Sequence, residues 1–278
     1  LPIGILTEWT LLCAVLKFSF LETQKVHKLA WTVTKRTLLF GIIILFWDLS
    51  VGLFKIPDYL LPPPQAIASA VVQDRTILWM HFLETFQKWA LGLSCSILIA
   101  LVLSLVAFSR PSLERVVQRF LVISQAVPYL TVAPLLLLWF GLGALPKIIL
   151  IILTCSFPIA QLTLSGLQSA RAEYSVLATL LRFDLMMALR QLYLPAAVPS
   201  FLNGVKISVT YAFVSTVLAE LIGSEAGLGV YLSRAQSAYR TDRVLAVVCL
   251  IVVFSLLCTW IVGLFSKRIL FWEVRKHV

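Results

Sequence analysis

Histidine, cysteine and carboxylate positions decide first whether this chain can do covalent chemistry. His27, His81 and His277 are scattered and form no H-E-x-x-H pattern, so hydrolytic metal chemistry has no ligand set. Cys13, Cys95, Cys155, Cys249 and Cys258 include no close pair, and the last four fall in apolar stretches where cysteine acts as a small hydrophobe. No G-x-x-x-x-G-K-[ST] occurs; GLGALPK at 141–147 has glycines and a lysine at the wrong spacing for a phosphate-cradling loop. What remains are charges in unusual places. Asp48 and Glu220 lie inside or at the edge of apolar runs, where an ionised carboxylate is expensive and often functional. Arg234, Arg240 and Arg243 follow the glycine-rich GSEAGLG at 223–229, and suit either an anionic solute or an acidic protein surface.

The elements that position these groups follow from composition. Of 278 residues, 60% are hydrophobic and 13% charged, about half the charged share of a soluble domain. Apolar runs recur along the chain, and a span needs about 20 residues to cross hydrocarbon. Six helical spans are predicted, at 38–54, 89–108, 120–141, 148–170, 200–222 and 244–266. Prolines 128, 134 and 158 sit inside these runs, which suits membrane helices with packed neighbours better than strands. Residues 1–20, interrupted by Glu8 and Lys17, read as an interfacial helix or as an extra short span. The resulting division is a cytoplasmic or interfacial segment over 1–36, a transmembrane domain over 37–272 and a tail over 273–278.

Lys and Arg counts orient the spans. Fifteen fall in segments 22–36, 109–119, 171–206 and the tail, against seven in the alternate loops, so the positive-inside rule places both termini in the cytoplasm. The net charge of +10 is spread through juxtamembrane loops and gives no basic domain for nucleic acid. Within the third span Gln125, Tyr129 and Thr131 bring hydrogen-bonding groups to a candidate path that also includes Asp48 and Glu220, while Ser165, Gly166 and Ser169 form a small face for close helix packing.

The longest cytoplasmic connection, RAEYSVLATLLRFDLMMALRQLYLPAAVPS, carries apolar residues at helical spacing on both sides of Arg182 to Asp184. Two short amphipathic helices with a break there are predicted, and Asp184 is placed to cap the second. Pro195 disfavours helical geometry at Leu194 and Pro199 suits a first helical turn, so an elbow is expected between them.

This segment resembles the cytoplasmic signature of binding-protein-dependent ABC importer permeases. IPDYLLPPPQAIASAV at 56–71, SQAVPYLTVAPLLLLWFGLG at 124–143 and VLAELIGSEAGLGVYLSRAQSAYRTDRVLA at 217–246 resemble the nitrate, sulfonate, taurine, bicarbonate and thiamine-precursor branch. The resemblance implies an all-α integral membrane protein with the ABC importer permease fold, in the bacterial inner membrane. It also implies a second permease copy, two ATPase subunits that carry ATP and Mg, and a soluble or lipid-anchored binding protein. This chain would be non-catalytic, bind no cofactor and import a small polar or anionic solute. Residues 172–193 would be the ATPase-coupling segment, with Leu194 and Pro195 at the Leu-Pro position, Ala178 at the second alanine, and Arg171, Glu173, Arg182, Asp184 and Leu189 as further coupling residues. Arg182 stands where a glycine is usual and Val176 where a glutamate is usual, so the tight left-handed turn of that signature is not expected. A self-contained, ion-coupled secondary transporter or channel is the competing function, with Asp48 and Glu220 as its ion-coupling carboxylates.

Overall fold

A computed structural model describes residues 41–270, together with Trp31, Lys35, Leu38 and Leu39. The expected interfacial helix over 1–20 and the tail over 273–278 lie outside these residues, as do His27, His277 and Cys13. The described residues form ten α-helices. In chain order they are α1 (Gly41–Phe54), α2 (Pro64–Gln73), α3 (Arg75–Ser109), α4 (Pro111–Ser124), α5 (Tyr129–Phe140), α6 (Leu145–Leu180), α7 (Leu185–Ala188), α8 (Leu194–Gly223), α9 (Leu228–Ser237) and α10 (Thr241–Ile269). The chain divides between Ala66 and Ile67 into two compact units, with α1 in the first and α3 to α10 in the second.

The described residues of five predicted spans fall in helices and the third is broken, and the helix lengths differ from the hydropathy pattern. Among the described residues, α3, α6, the continuous helix Leu185–Gly223 and α10 are long and apolar enough to cross a membrane, whereas α1 and Thr131–Phe140 are apolar but shorter. At 35 residues α3 is roughly 52 Å long. It starts fourteen residues before the predicted span, in an extension whose His81, Thr85 and Lys88 find partners on α8 and the loop that follows it.

The third span is not one helix. It breaks at Gln125–Pro128 into α4 and α5, because Pro128 offers no N–H to the preceding turn and restricts Val127. Pro128 itself takes extended ψ (105°) as the N-cap of α5.

Helices α3, α6 and α8 form the centre of the second unit by close backbone approach at small residues. A Cβ added at Gly166 would lie 2.6 Å from Ser200 Cβ, and one at Gly204 would lie 3.0 Å from Ile159 Cα. Serines bridge the same seams: Ser208 Oγ donates to the Cys155 carbonyl (3.2 Å), and Ser104 Oγ donates to the Ala160 carbonyl (3.1 Å). Lipid offers helices no hydrophobic reason to associate, so such contacts hold them together. An aromatic cluster of Phe82, Phe86, Trp89, Phe213 and Phe254 fastens α10 to α3 and α8.

The connection between α6 and α8 carries two corrections. Helix α6 ends in a Schellman turn in which Phe183 N–H donates to the Ala178 carbonyl (2.9 Å) and Arg182 N–H to the Thr179 carbonyl (3.0 Å). Arg182 adopts φ 52°, so the left-handed turn forms without the usual glycine; the two hydrogen bonds and the Asp184 cap on Met187 N (3.0 Å) hold the strained residue in place. The elbow at Pro195 does not form either. Leu194 is helical (φ −62°, ψ −52°), and a π-helical turn over Leu189–Tyr193 lets the chain run through Pro195 and Pro199 into α8. The wider i→i+5 spiral absorbs the backbone bond that Pro195 cannot make.

Two stability changes test this reading. Arg182→Gly should raise stability by about 1 kcal/mol by removing the left-handed strain, seen as a higher melting temperature of the detergent-solubilised chain. Gly166→Val should lower it by about 1–3 kcal/mol through overpacking of the α6/α8 seam.

Candidate functional site

The break between α4 and α5 opens a cavity of about 610 Å³, within the size range of small-molecule sites. The end of α4, the 125–128 turn and the start of α5 face residues 150–158 of α6 and Tyr211 of α8 across it. Phe120 and Phe157 meet edge to face (5.9 Å) on its wall, where Tyr129 and Tyr211 add two phenols. Ser124 and Thr154 turn their hydroxyls back to the Leu121 and Leu150 carbonyls (both 2.8 Å). Gln125 Nε2 donates to Gln161 Oε1 (2.8 Å), tying the break to α6. No charged side chain lines this cavity.

Of the expected path residues, Gln125 and Tyr129 line the cavity. Thr131 instead donates to the Pro128 carbonyl (2.7 Å) and tightens the break. Asp48 lies exposed on α1 in the first unit. Gln161 and Tyr211 escaped the sequence reading; a carboxamide three residues after Pro158 inside an apolar run was the signal for the first.

Glu220 lies at the end of the bundle where α3 and α10 begin. Its carboxylate is buried and fully engaged, accepting from Lys88 Nζ (2.9 Å), Thr85 Oγ1 (2.8 Å) and Gly229 N–H (3.1 Å). The glycine-rich loop is held through three successive amides: Gly227 N–H donates to His81 Nδ1 (3.0 Å), Leu228 N–H to Thr85 Oγ1 (2.8 Å) and Gly229 N–H to Glu220. Gly227 has φ 131° and presses against the Glu220 carboxylate, so a side chain there has neither the backbone geometry nor the room. Beside it, Tyr231 Oη donates to Asp74 (2.6 Å), which also pairs with Arg243 (2.9 Å). Burial and the bond to Asp74 hold the Tyr231 hydroxyl above the usual phenol range, so it remains a donor. Arg240 pairs with Asp242 (2.9 Å), and Arg234 is exposed on α9. Two of the three arginines in this region therefore already hold carboxylates.

At the opposite end Arg171 is built into the fold. It pairs with Glu114 (3.2 Å), donates to the Phe108 carbonyl (2.7 Å) and stacks 3.7 Å over the Phe108 ring, while Gln168 donates to Glu114 (2.7 Å). This cluster joins the α3/α4 corner to α6. Ala178 and Leu189 are buried, Leu194 is half-buried, and Glu173, Arg182, Asp184 and Pro195 are on the surface. Val176, Leu180 and Met186 expose 69, 75 and 68% of their surface around the turn, an apolar patch at the tip joining the two longest helices. Among the described residues no three His, Cys, Asp or Glu side chains are grouped to hold a metal.

The latch around Glu220 predicts that Lys88→Met destabilises the chain by about 3–5 kcal/mol, because it leaves a carboxylate buried without its cation. Adding Glu220→Gln, which removes the charge and keeps an acceptor, should recover part of that loss in a thermal melt.

Comparison with known proteins identifies the family and the fold. Residues 92–271 match the family model described as "Binding-protein-dependent transport system inner membrane component". The chain is 33% identical to a probable ABC transporter permease protein of Haemophilus influenzae over 80% of its length and 91% of the relative's. It is 29% identical to the formylaminopyrimidine transport permease protein ThiX of Halalkalibacterium halodurans, over 83% of this chain and 92% of the relative. Among solved structures, an inward-facing MetNI methionine ABC transporter shares the fold, with a TM-score of 0.62 at 17% identity over 71% of this chain and 98% of that one. With its multi-pass helical fold and no catalytic role of its own, the chain belongs to the family of binding-protein-dependent inner-membrane permease subunits of ABC importers.

Proposed function

We propose that two copies of this chain form the membrane path of the importer, with two ATPase subunits on the side of the α6/α7 turn and a binding protein on the side of the Glu220 latch. The observation that carries this reading is the exposed apolar tip around Val176, Leu180 and Met186. It joins the two helices whose other segments, residues 150–158 and Tyr211, wall the cavity. A partner pressing on the tip acts on both walls through helices that do not bend easily, which suits a switch between two access states. By the Lys and Arg distribution the tip is cytoplasmic. ATP and Mg belong to the partner subunits, and the arginines near the latch face the binding protein or its solute.

The relatives' names cover formylaminopyrimidine, aliphatic sulfonates, taurine and riboflavin, which supports the sulfonates and vitamin precursors within a substrate range that also takes in nitrate and bicarbonate by resemblance. Engagement of Glu220 favours import driven by a partner over an ion-coupled carrier, since its charge is paired with Lys88 and both of its oxygens already accept hydrogen bonds.

Leu180→Asp and Met186→Asp should leave membrane insertion unchanged, yet reduce both transport and the stimulation of partner ATP hydrolysis by loaded binding protein about tenfold or more, as expected when a charge replaces an apolar contact at an interface centre. Unaltered stimulation in correctly inserted variants would remove the tip from the coupling role.

A further inference from the structure

The cavity wall carries information about the solute that the family does not. We infer that the cavity takes an uncharged, flat nitrogen heterocycle with a lactam or amide edge, read by the Gln125 carboxamide that Gln161 holds from α6, in preference to a sulfonate, nitrate or bicarbonate anion. This rests on the permease reading above and narrows its substrate class.

Three observations carry it. The first is charge. No cationic side chain lines the cavity, and nearby cations at the latch are already engaged: Lys88 by Glu220 (2.9 Å), Lys147 by the Leu142 carbonyl (3.0 Å) and Arg243 by Asp74 (2.9 Å). A bare anion would lose its water here and gain no counter-charge, which is the costly form of burial. The second is shape. Phe120, Phe157, Tyr129 and Tyr211 present ring faces and edges to a space of about 610 Å³, a wall suited to planar π-systems.

The third is the carboxamide pair. One hydrogen bond joins Gln125 to Gln161 (2.8 Å). A carboxamide has two donors and one acceptor oxygen, so Gln125, the member on the cavity wall, retains its acceptor oxygen and one N–H side by side. A lactam edge, with N–H beside C=O, satisfies both at once. Serine and threonine hydroxyls on the wall cannot do this, since Ser124 and Thr154 are spent on their own helices. Among the described residues the Tyr129 and Tyr211 hydroxyls donate to no protein acceptor, and they offer further contacts around the ring's substituents.

The test uses the full chain assembled with its ATPase subunit in lipid nanodiscs, and equilibrium binding of four labelled probes: uracil, N-methylated uracil lacking the ring N–H donors, ethanesulfonate and nitrate. Saturable binding of uracil, weaker binding of its methylated form and no binding of either anion are expected. Gln125→Leu and Gln161→Leu should each reduce uracil binding about tenfold or more and abolish its advantage over the methylated form, because a site built to hydrogen-bond a group discriminates through that bond. Gln125→Asn should restore part of the advantage, an effect that a merely structural role for Gln125 does not produce. Tighter binding of either anion, absence of uracil binding, or unchanged discrimination in the leucine variants would each overturn the inference. If the assembly hydrolyses ATP while any of these holds, the permease reading stands and only the substrate class fails; if no ATPase subunit assembles with the chain, the permease reading fails first.

Discussion

An amide or carbonyl left without a partner in hydrocarbon costs several kcal/mol, so every departure from α-helix in the second unit has to be serviced by another part of the chain. Four such places among the described residues show how. At 125–128 the Thr131 hydroxyl and the Gln125–Gln161 bond attend the break. At 181–184 the Schellman pair and the Asp184 cap do so. The π-turn at 189–193 rearranges the ladder ahead of Pro195, and at 227–229 His81, Thr85 and Glu220 take three amides in a row. Each place is also where the chain does something other than span: wall a cavity, present a tip, or hold the glycine-rich loop.

The same constraint explains the treatment of charge. Lys88 and Glu220 neutralise each other within α3 and α8, and Arg171 and Glu114 do so at the other end, where the guanidinium also covers a ring and a helix-end carbonyl. Both clusters keep α3 in register with its neighbours at opposite ends, so the middle of the unit needs only small residues and serines to pack. The cavity between these fixed ends is left uncharged. Its neighbours α6 and α8 run from the cavity wall toward the Val176, Leu180 and Met186 tip, so tip and wall belong to the same two helices without any residue bridging them directly.

Hydropathy, proline placement and the Lys and Arg count were enough to read an all-helical membrane chain, its six apolar segments, the break near Arg182 and the capping role of Asp184, because those features depend on local chemistry or on composition over one span. The resemblance carried by 124–143, 190–204 and 217–246 pointed to the permease family in the same way. What the sequence could not settle depended on partners far along the chain. The first fourteen residues of α3 lie outside the apolar run, yet His81, Thr85 and Lys88 among them are held by Glu220 and the glycine-rich loop, more than 130 positions away. Arg182 entered left-handed geometry and Pro195 stayed helical because hydrogen bonds and a π-turn outweighed residue preference. Gln161 and Tyr211 joined Gln125 and Tyr129 only once α6 and α8 packed against the broken helix. Local propensity acts over a few residues, whereas burial, pairing and cavity walls are properties of several helices at once, and only the tertiary structure decides them.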